Sequence, residues 1–190
     1  DDPSDLFRLW EVAGAPHMDK IYYQHMPVVE DQVKFGQVGY LVNWPMAYQC
    51  TPDIDLLDFP VMRYAVNAAF SAMTGWINTG VSPPRAERIS VSRENSGEPD
   101  IVTDSHGNAL GGMRNVYLDV PVATYMDSSP GPAVCTNLGR KEIFSWQKLE
   151  SLYGNSENYA SRVDQRLESL VENGWLTNKD SEKIRQELIP

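Results

Sequence analysis

Leu6 to Val12 reads Leu-Phe-Arg-Leu-Trp-Glu-Val, a run so rich in apolar and aromatic residues that it predicts a mostly buried strand. Ala13-Gly14-Ala15-Pro16 breaks it with the small residues, glycine and proline of a tight loop, and His17 follows at once. Further along, Val61, Tyr64, Ala65, Ala68, Ala69, Ala72, Met73 and Trp76 recur at spacings of three and four. That period predicts a helix over Phe59 to Thr79 with one apolar stripe. Asp58 and Pro60 suit its start, and Gly80 with Pro83-Pro84 its stop.

The period then changes. From Arg88 to Tyr125 short extended pieces are expected at Ile89 to Val91, Ile101 to Thr103 and Val116 to Tyr125, with a turn at Asp104 to Asn108. A loop through Ser128 to Pro132 leads to a region that reads as three helices: Ser145 to Tyr153, Ser156 to Glu172 and Lys179 to Leu188. Gly154 and Gly174 end the first two, and Ser156 and Thr177 are expected as caps of the second and third. Tyr159, Val163, Leu167 and Leu170 give the middle helix a single apolar face, so it should dock on something. Met18 to Cys50 has no firm period and is rich in tyrosine, methionine and proline, which reads as an irregular lid or pocket wall. Its tyrosines and methionines from Tyr22 to Tyr48 serve either ordinary packing or a pocket lining.

Composition narrows the function classes. A formal charge of −10 repels phosphate backbones and anionic lipid and leaves no basic stripe, so nucleic acid and membrane surfaces are not expected partners. No apolar run approaches the ~18 residues of a membrane span. Asp1 stands without an initiator methionine, and a processed end or an artificial boundary is expected there. Cys50 and Cys135 form either one bridge, if the protein is secreted, or two buried reduced thiols. His25 and His106 lack a second ligand at metal spacing, and Gly111-Gly112 lacks the strand and helix of a dinucleotide loop, so neither a metal nor a cofactor is expected.

The chemistry concentrates at His17. A histidine just past the end of a strand sits where open α/β sheets place their working residues, and an imidazole titrating near neutrality suits proton transfer. The segment Arg8-Leu9-Trp10-Glu11-Val12-Ala13-Gly14-Ala15-Pro16-His17 resembles the catalytic-histidine segment of the α/β-hydrolase domain-containing family. The resemblance continues in order through Trp76 to Pro84, through Asp104 to Tyr125 with Gly107-Asn108-Ala109-Leu110-Gly111-Gly112, and through Leu152-Tyr153-Gly154 to Tyr159.

The resemblance implies an α/β fold: the C-terminal part of a hydrolase sheet, with its last core strand and following helix, over 1–84. A small β-rich excursion then spans 85–140, and a helical C-terminal region 141–190. It also implies that His17 is the triad histidine of a serine hydrolase that cleaves a small-molecule ester or acyl bond. No Gly-x-Ser-x-Gly elbow occurs in this chain, and family chain order places serine and acid before histidine. The expected partner is therefore an upstream half of the same hydrolase carrying the nucleophilic serine and the acid, and the chain alone should be inactive. Glu11 is a candidate to orient the imidazole, or else pairs with Arg8 or a backbone donor; Asp19 reads as a helix cap. A Cys–His mechanism through Cys50 or Cys135 has no elbow to support it. The competing reading is a non-catalytic domain that docks a partner through its apolar helix faces.

Overall fold

A computed structural model describes residues 6–19, 21, 34, 55–92, 99–131 and 133–189. His25, Cys50 and the tyrosine- and methionine-rich stretch from Tyr22 to Tyr48 lie outside the described residues. By its contacts the chain divides into two compact units. The first draws on Asp1–Gly14, Val61–Thr124 and Ile143–Pro190, the second on Ala15–Pro60 and Tyr125–Glu142.

In the first unit the expected long helix is α1, Val61–Thr79. Its stripe is buried at Val61, Tyr64, Ala65 and Ala68, but Ala69 and Met73 are exposed, so the burial covers the N-terminal half. Ala65 and Ala68 pack with Met113 against Trp10, Val12, Ala86 and Trp175. Small alanines let these larger side chains approach the helix backbone.

The run Leu6 to Val12 departs from expectation. Instead of a strand it forms a single parallel bridge, Val12 with Met113, through hydrogen bonds from Ala13 N–H to Met113 O (3.2 Å) and from Met113 N–H to Glu11 O (2.6 Å). Parallel strands persist where neighbours flank them, whereas here side chains also hold the run. Arg8 Nε donates to Pro83 O (3.1 Å), Trp10 Nε1 donates to Pro84 O (3.0 Å), and Trp10 lies 5.0 Å from Trp175.

The β-rich excursion is a small antiparallel meander. Strands β1 (Val91–Ser92) and β2 (Asp100–Ile101) pair Val91 with Ile101, and the bridges Ile89–Gly111 and Thr103–Ala109 extend the pairing. Gly111 is required there: its φ is +72°, and a Cβ would lie 2.2 Å from Arg88 O. The expected turn at Asp104 is an Asx turn, its Oδ1 accepting from His106 N–H (2.8 Å) and Asn108 N–H (3.0 Å).

Val116 to Tyr125 is not extended throughout. Asn115 caps Leu118 N–H and starts a one-turn helix, α2 (Val116–Asp119), so strand β3 begins at Ala123 and runs to Met126. Strand β4 (Arg140–Ile143) pairs with β3.

The three C-terminal helices appear as α3 (Trp146–Tyr153), α4 (Ser156–Glu172) and α5 (Asn178–Leu188). Thr177 caps α5 as expected, but Asn155 rather than Ser156 caps α4, because its side chain reaches Asn158 N–H at 2.8 Å. Val163, Leu167 and Leu170 bury the apolar face of α4, which packs against α2, α3 and α5.

Arg114 ties these pieces together. Its guanidinium donates to Asp104 Oδ2 (3.1 Å), Asp119 Oδ1 (2.6 Å), Leu118 O (2.9 Å) and Ala109 O, while Arg166 Nε holds the other oxygen of Asp119 at 2.7 Å. Turn, one-turn helix and α4 thus share one charge network, with Arg114 only 18% exposed. Removing one member of such a set strands the remaining charges. Arg114→Met is expected to lower stability by about 3 kcal/mol, measured by urea unfolding; a loss below the scatter of surface substitutions would refute the hub.

Candidate functional site

His17 lies in the second unit, exposed, with no hydrogen bond to its ring among the described residues. Its neighbours are fixed by backbone. Met18 N–H donates to Asn137 O (2.8 Å), and Gly139 N–H donates to Met18 O (3.1 Å), forming a parallel bridge between Met18 and Leu138. Gly139 O in turn accepts from Leu57 N–H at 2.9 Å, so residues 137–139 run between the Met18 and Leu57 segments. On the other side of the histidine, Pro16 is buried against Gly139. A Cβ at Gly139 would fall 2.5 Å from Pro16 Cγ and 2.6 Å from its Cβ. The ring is therefore displayed between a packed proline one residue before it and a paired backbone one residue after.

The supporting segment is itself anchored. Leu57 is wholly buried and Leu138 is 1% exposed. Ser129 Oγ donates to Leu138 O (2.8 Å), and the carbonyl of Cys135 accepts from Ser129 N–H (3.2 Å) and Leu138 N–H (3.0 Å). Cys135 is buried and disulfide-bonded, which closes the reduced-thiol alternative for this residue. Lys141 Nζ reaches both oxygens of Asp58 at 2.8 Å, and Phe59 meets Tyr125 edge-on at 5.3 Å.

Glu11 falls in the first unit. One carboxylate oxygen accepts from the Arg88 guanidinium at 2.5 Å and the other from Ile89 N–H at 2.8 Å. Of the pairings considered for it, the backbone donor is present, and the arginine is Arg88. The Arg88 hydrogen bond, then that of Ile89, hold the Glu11 carboxyl below the ordinary carboxylate range. The carboxylate thus fastens the start of the meander to the run that leads into the histidine loop.

His106 belongs to the Asx turn. Its Nδ1 is buried without a hydrogen-bond partner and its ring rests 5.7 Å from Phe144. Among the described residues no three His, Cys, Asp or Glu side chains gather as a metal site. Sequence reasoning missed Gly139 and the Arg114 network. Gly139 sits in Leu138-Gly139-Arg140 with no turn signal around it, and the network joins Asp104, Arg114 and Asp119 to Arg166, which lies 47 residues beyond Asp119.

Two outcomes follow from this geometry. A depressed carboxyl pKa adds stability that is complete above the ordinary value of 4.5 and is lost as pH falls through the folded-state value. Glu11→Gln should therefore lower the melting temperature near neutral pH, and the gap to the parent should close in acid; a gap independent of pH would exclude the ionic tether. Gly139→Ala should push Pro16 aside and shift the ring resonances of His17, at a cost of about 2 kcal/mol. Gly75→Ala, where a Cβ meets nothing within 4 Å, should leave those resonances in place. Equal spectra for both variants would rule out steric seating of the histidine loop.

The described elements, five helices with short strands and two parallel bridges, are compatible with part of an α/β fold. A family model described as an alpha/beta hydrolase domain matches residues 1–186. No curated protein and no solved structure matches the chain. The match spans nearly all of the sequence, and the chain belongs to the α/β-hydrolase domain family.

Proposed function

We propose that this chain contributes His17 as the general acid and base of a serine hydrolase acting on an ester or related acyl bond. The observation that carries the reading is the position of His17 directly after the Arg8 to Pro16 segment of a hydrolase-family chain, with an exposed ring, backbone pairing at Met18 and a steric contact at Pro16. The imidazole takes the proton of a serine hydroxyl as its oxygen bonds to the acyl carbon, then returns it to the departing alkoxide. In the second half-reaction it takes a proton from water, which attacks the acyl-serine, and gives it to the serine oxygen as that bond breaks. Each half-reaction leaves the histidine neutral. Serine and orienting acid come, in this reading, from further hydrolase polypeptide.

An apolar surface on the first unit supports a covering partner of that kind. Met62, Val66, Phe70, Met73 and Ile77 follow one another along α1 at spacings of three and four, and all are exposed, Phe70 at 61% and Ile77 at 77%. Leu6 at 89% and Phe7 at 57% add to the apolar surface of the same unit. Contiguous apolar surface marks an interaction site. The same face also favours the second reading, a non-catalytic domain that docks a protein.

Assay separates them. The chain alone should neither cleave a p-nitrophenyl ester nor react with a fluorophosphonate. In a polypeptide joining it to a hydrolase segment that bears Gly-x-Ser-x-Gly, His17→Ala should cut kcat/KM on the order of 10⁴-fold. Esterase activity in the isolated chain, or full activity without the imidazole, would sink the proposal.

A further inference from the structure

Trp146, Leu149, Glu150 and Tyr153 stand at i, i+3, i+4 and i+7 of α3 and so share one helix face. Gly154 turns the chain with φ +75° into α4, whose Tyr159 comes back edge-on to Tyr153, centroids 5.1 Å apart at 70°. With Val122 these side chains line a cavity of about 250 Å³ in the first unit that is open to solvent on one side. Its volume lies below the ~300–1,000 Å³ usual for drug-sized ligands, which points to a small one.

The walls are aromatic and the polar content is sparse. Tyr153 is pinned by its hydroxyl, which donates to Pro121 O at 2.8 Å. Burial pushes the phenols of Tyr153 and Tyr159 up to about 12, so both rings stay neutral at ordinary pH. Trp146 stands 74% exposed, with no ring partner among the described residues. Among the described lining residues Glu150 is the charged one, and its carboxylate enters no ion pair with a described residue.

Two neighbouring cations already lie on aromatic rings. Lys148 Nζ sits 3.4 Å from the Phe144 ring centre, and Arg162 lies over Tyr153 at 5.6 Å. Rings in this region thus already serve as faces for positive charge. Three aromatic rings and an unpaired carboxylate around a small cavity are complementary to a cation with an apolar surface. Its charge meets the ring quadrupoles and the carboxylate, and its methyl groups meet Leu149 and Val122. Glu150 is exposed, so it would repel an anion and would add nothing to the binding of a neutral apolar molecule.

We propose that this cavity is a binding site for a small quaternary-ammonium ion, with Trp146, Tyr153 and Tyr159 as the cage and Glu150 as the counter-charge. The site is independent of His17 and of the hydrolase reading.

Choline is the probe, titrated into the ¹⁵N-labelled chain at millimolar concentrations, with the Trp146 indole N–H assigned by its loss in Trp146→Ala. A saturable shift of that signal is expected. Glu150→Gln and Tyr159→Leu should each weaken binding by about five- to tenfold, with circular dichroism verifying that both variants fold. 3,3-Dimethylbutan-1-ol, which has the shape of choline without its charge, should bind at least about fivefold more weakly. Equal affinity for the alcohol would make the cavity merely apolar and overturn the proposal, as would the absence of a saturable shift. Pelleting with phosphatidylcholine vesicles while free choline leaves the spectrum unchanged would assign the headgroup to a membrane and overturn the small-ion site.

Discussion

The first unit depends on one guanidinium. Arg114 has five N–H donors in a fixed plane, and its partners are the Asx-turn carboxylate of Asp104, a carboxylate and a carbonyl of the one-turn helix, and the carbonyl of Ala109. A single-turn helix such as α2 has too few internal hydrogen bonds to be stable by itself. Its last residue, Asp119, is instead gripped from both sides, by Arg114 and by Arg166 of α4. The charges alternate, two arginines with two aspartates, so the network is satisfied without leaving a surplus charge in partly buried surroundings. A similar economy appears at Glu187, which accepts from the hydroxyls of Tyr64 (3.3 Å) and Tyr117 (2.9 Å) and so links α5 to α1 and α2.

The second unit solves a different problem with backbone. The stretch Asn137 to Gly139 accepts from and donates to Met18 on one edge and accepts from Leu57 N–H on the other, and it lies so close to Pro16 that a side chain at Gly139 would not fit. Proton transfer by a histidine needs a ring free enough to meet its reaction partner and a base fixed enough to meet it repeatedly. Backbone pairing at Met18 and steric contact at Pro16 provide the second requirement while leaving the ring exposed.

Much of this was legible in the residues. The helices α1, α3, α4 and α5 announce themselves through apolar period, through Thr177, and through Gly80, Gly154 and Gly174 at their ends, all local signals that no distant contact has to ratify. The Asx turn at Asp104 is equally local. Val116-Tyr117-Leu118-Asp119 was not legible as helix, because Val116 and Tyr117 favour strands and its formation rests on the Asn115 cap, on Arg114 just before it and on Arg166 of α4. Leu6 to Val12 has strand composition, yet composition cannot supply a ladder partner, and Met113 provides one bridge. At the candidate site, His17 was visible from its flanking residues. Gly139 was not, since its meaning is a contact with Pro16 across most of the chain, and Glu11 carried no mark that its partners would be Arg88 and Ile89.

The open apolar face of α1 also governs how the chain behaves as a solute. Molecules carrying a formal charge of −10 repel one another, while Phe70, Met73 and Ile77 attract their like. Salt screens the repulsion to within about 10 Å at 0.1 M and leaves the attraction intact. Colloidal stability of the isolated polypeptide therefore declines as ionic strength rises, and dilute buffer is the medium in which it stays dispersed.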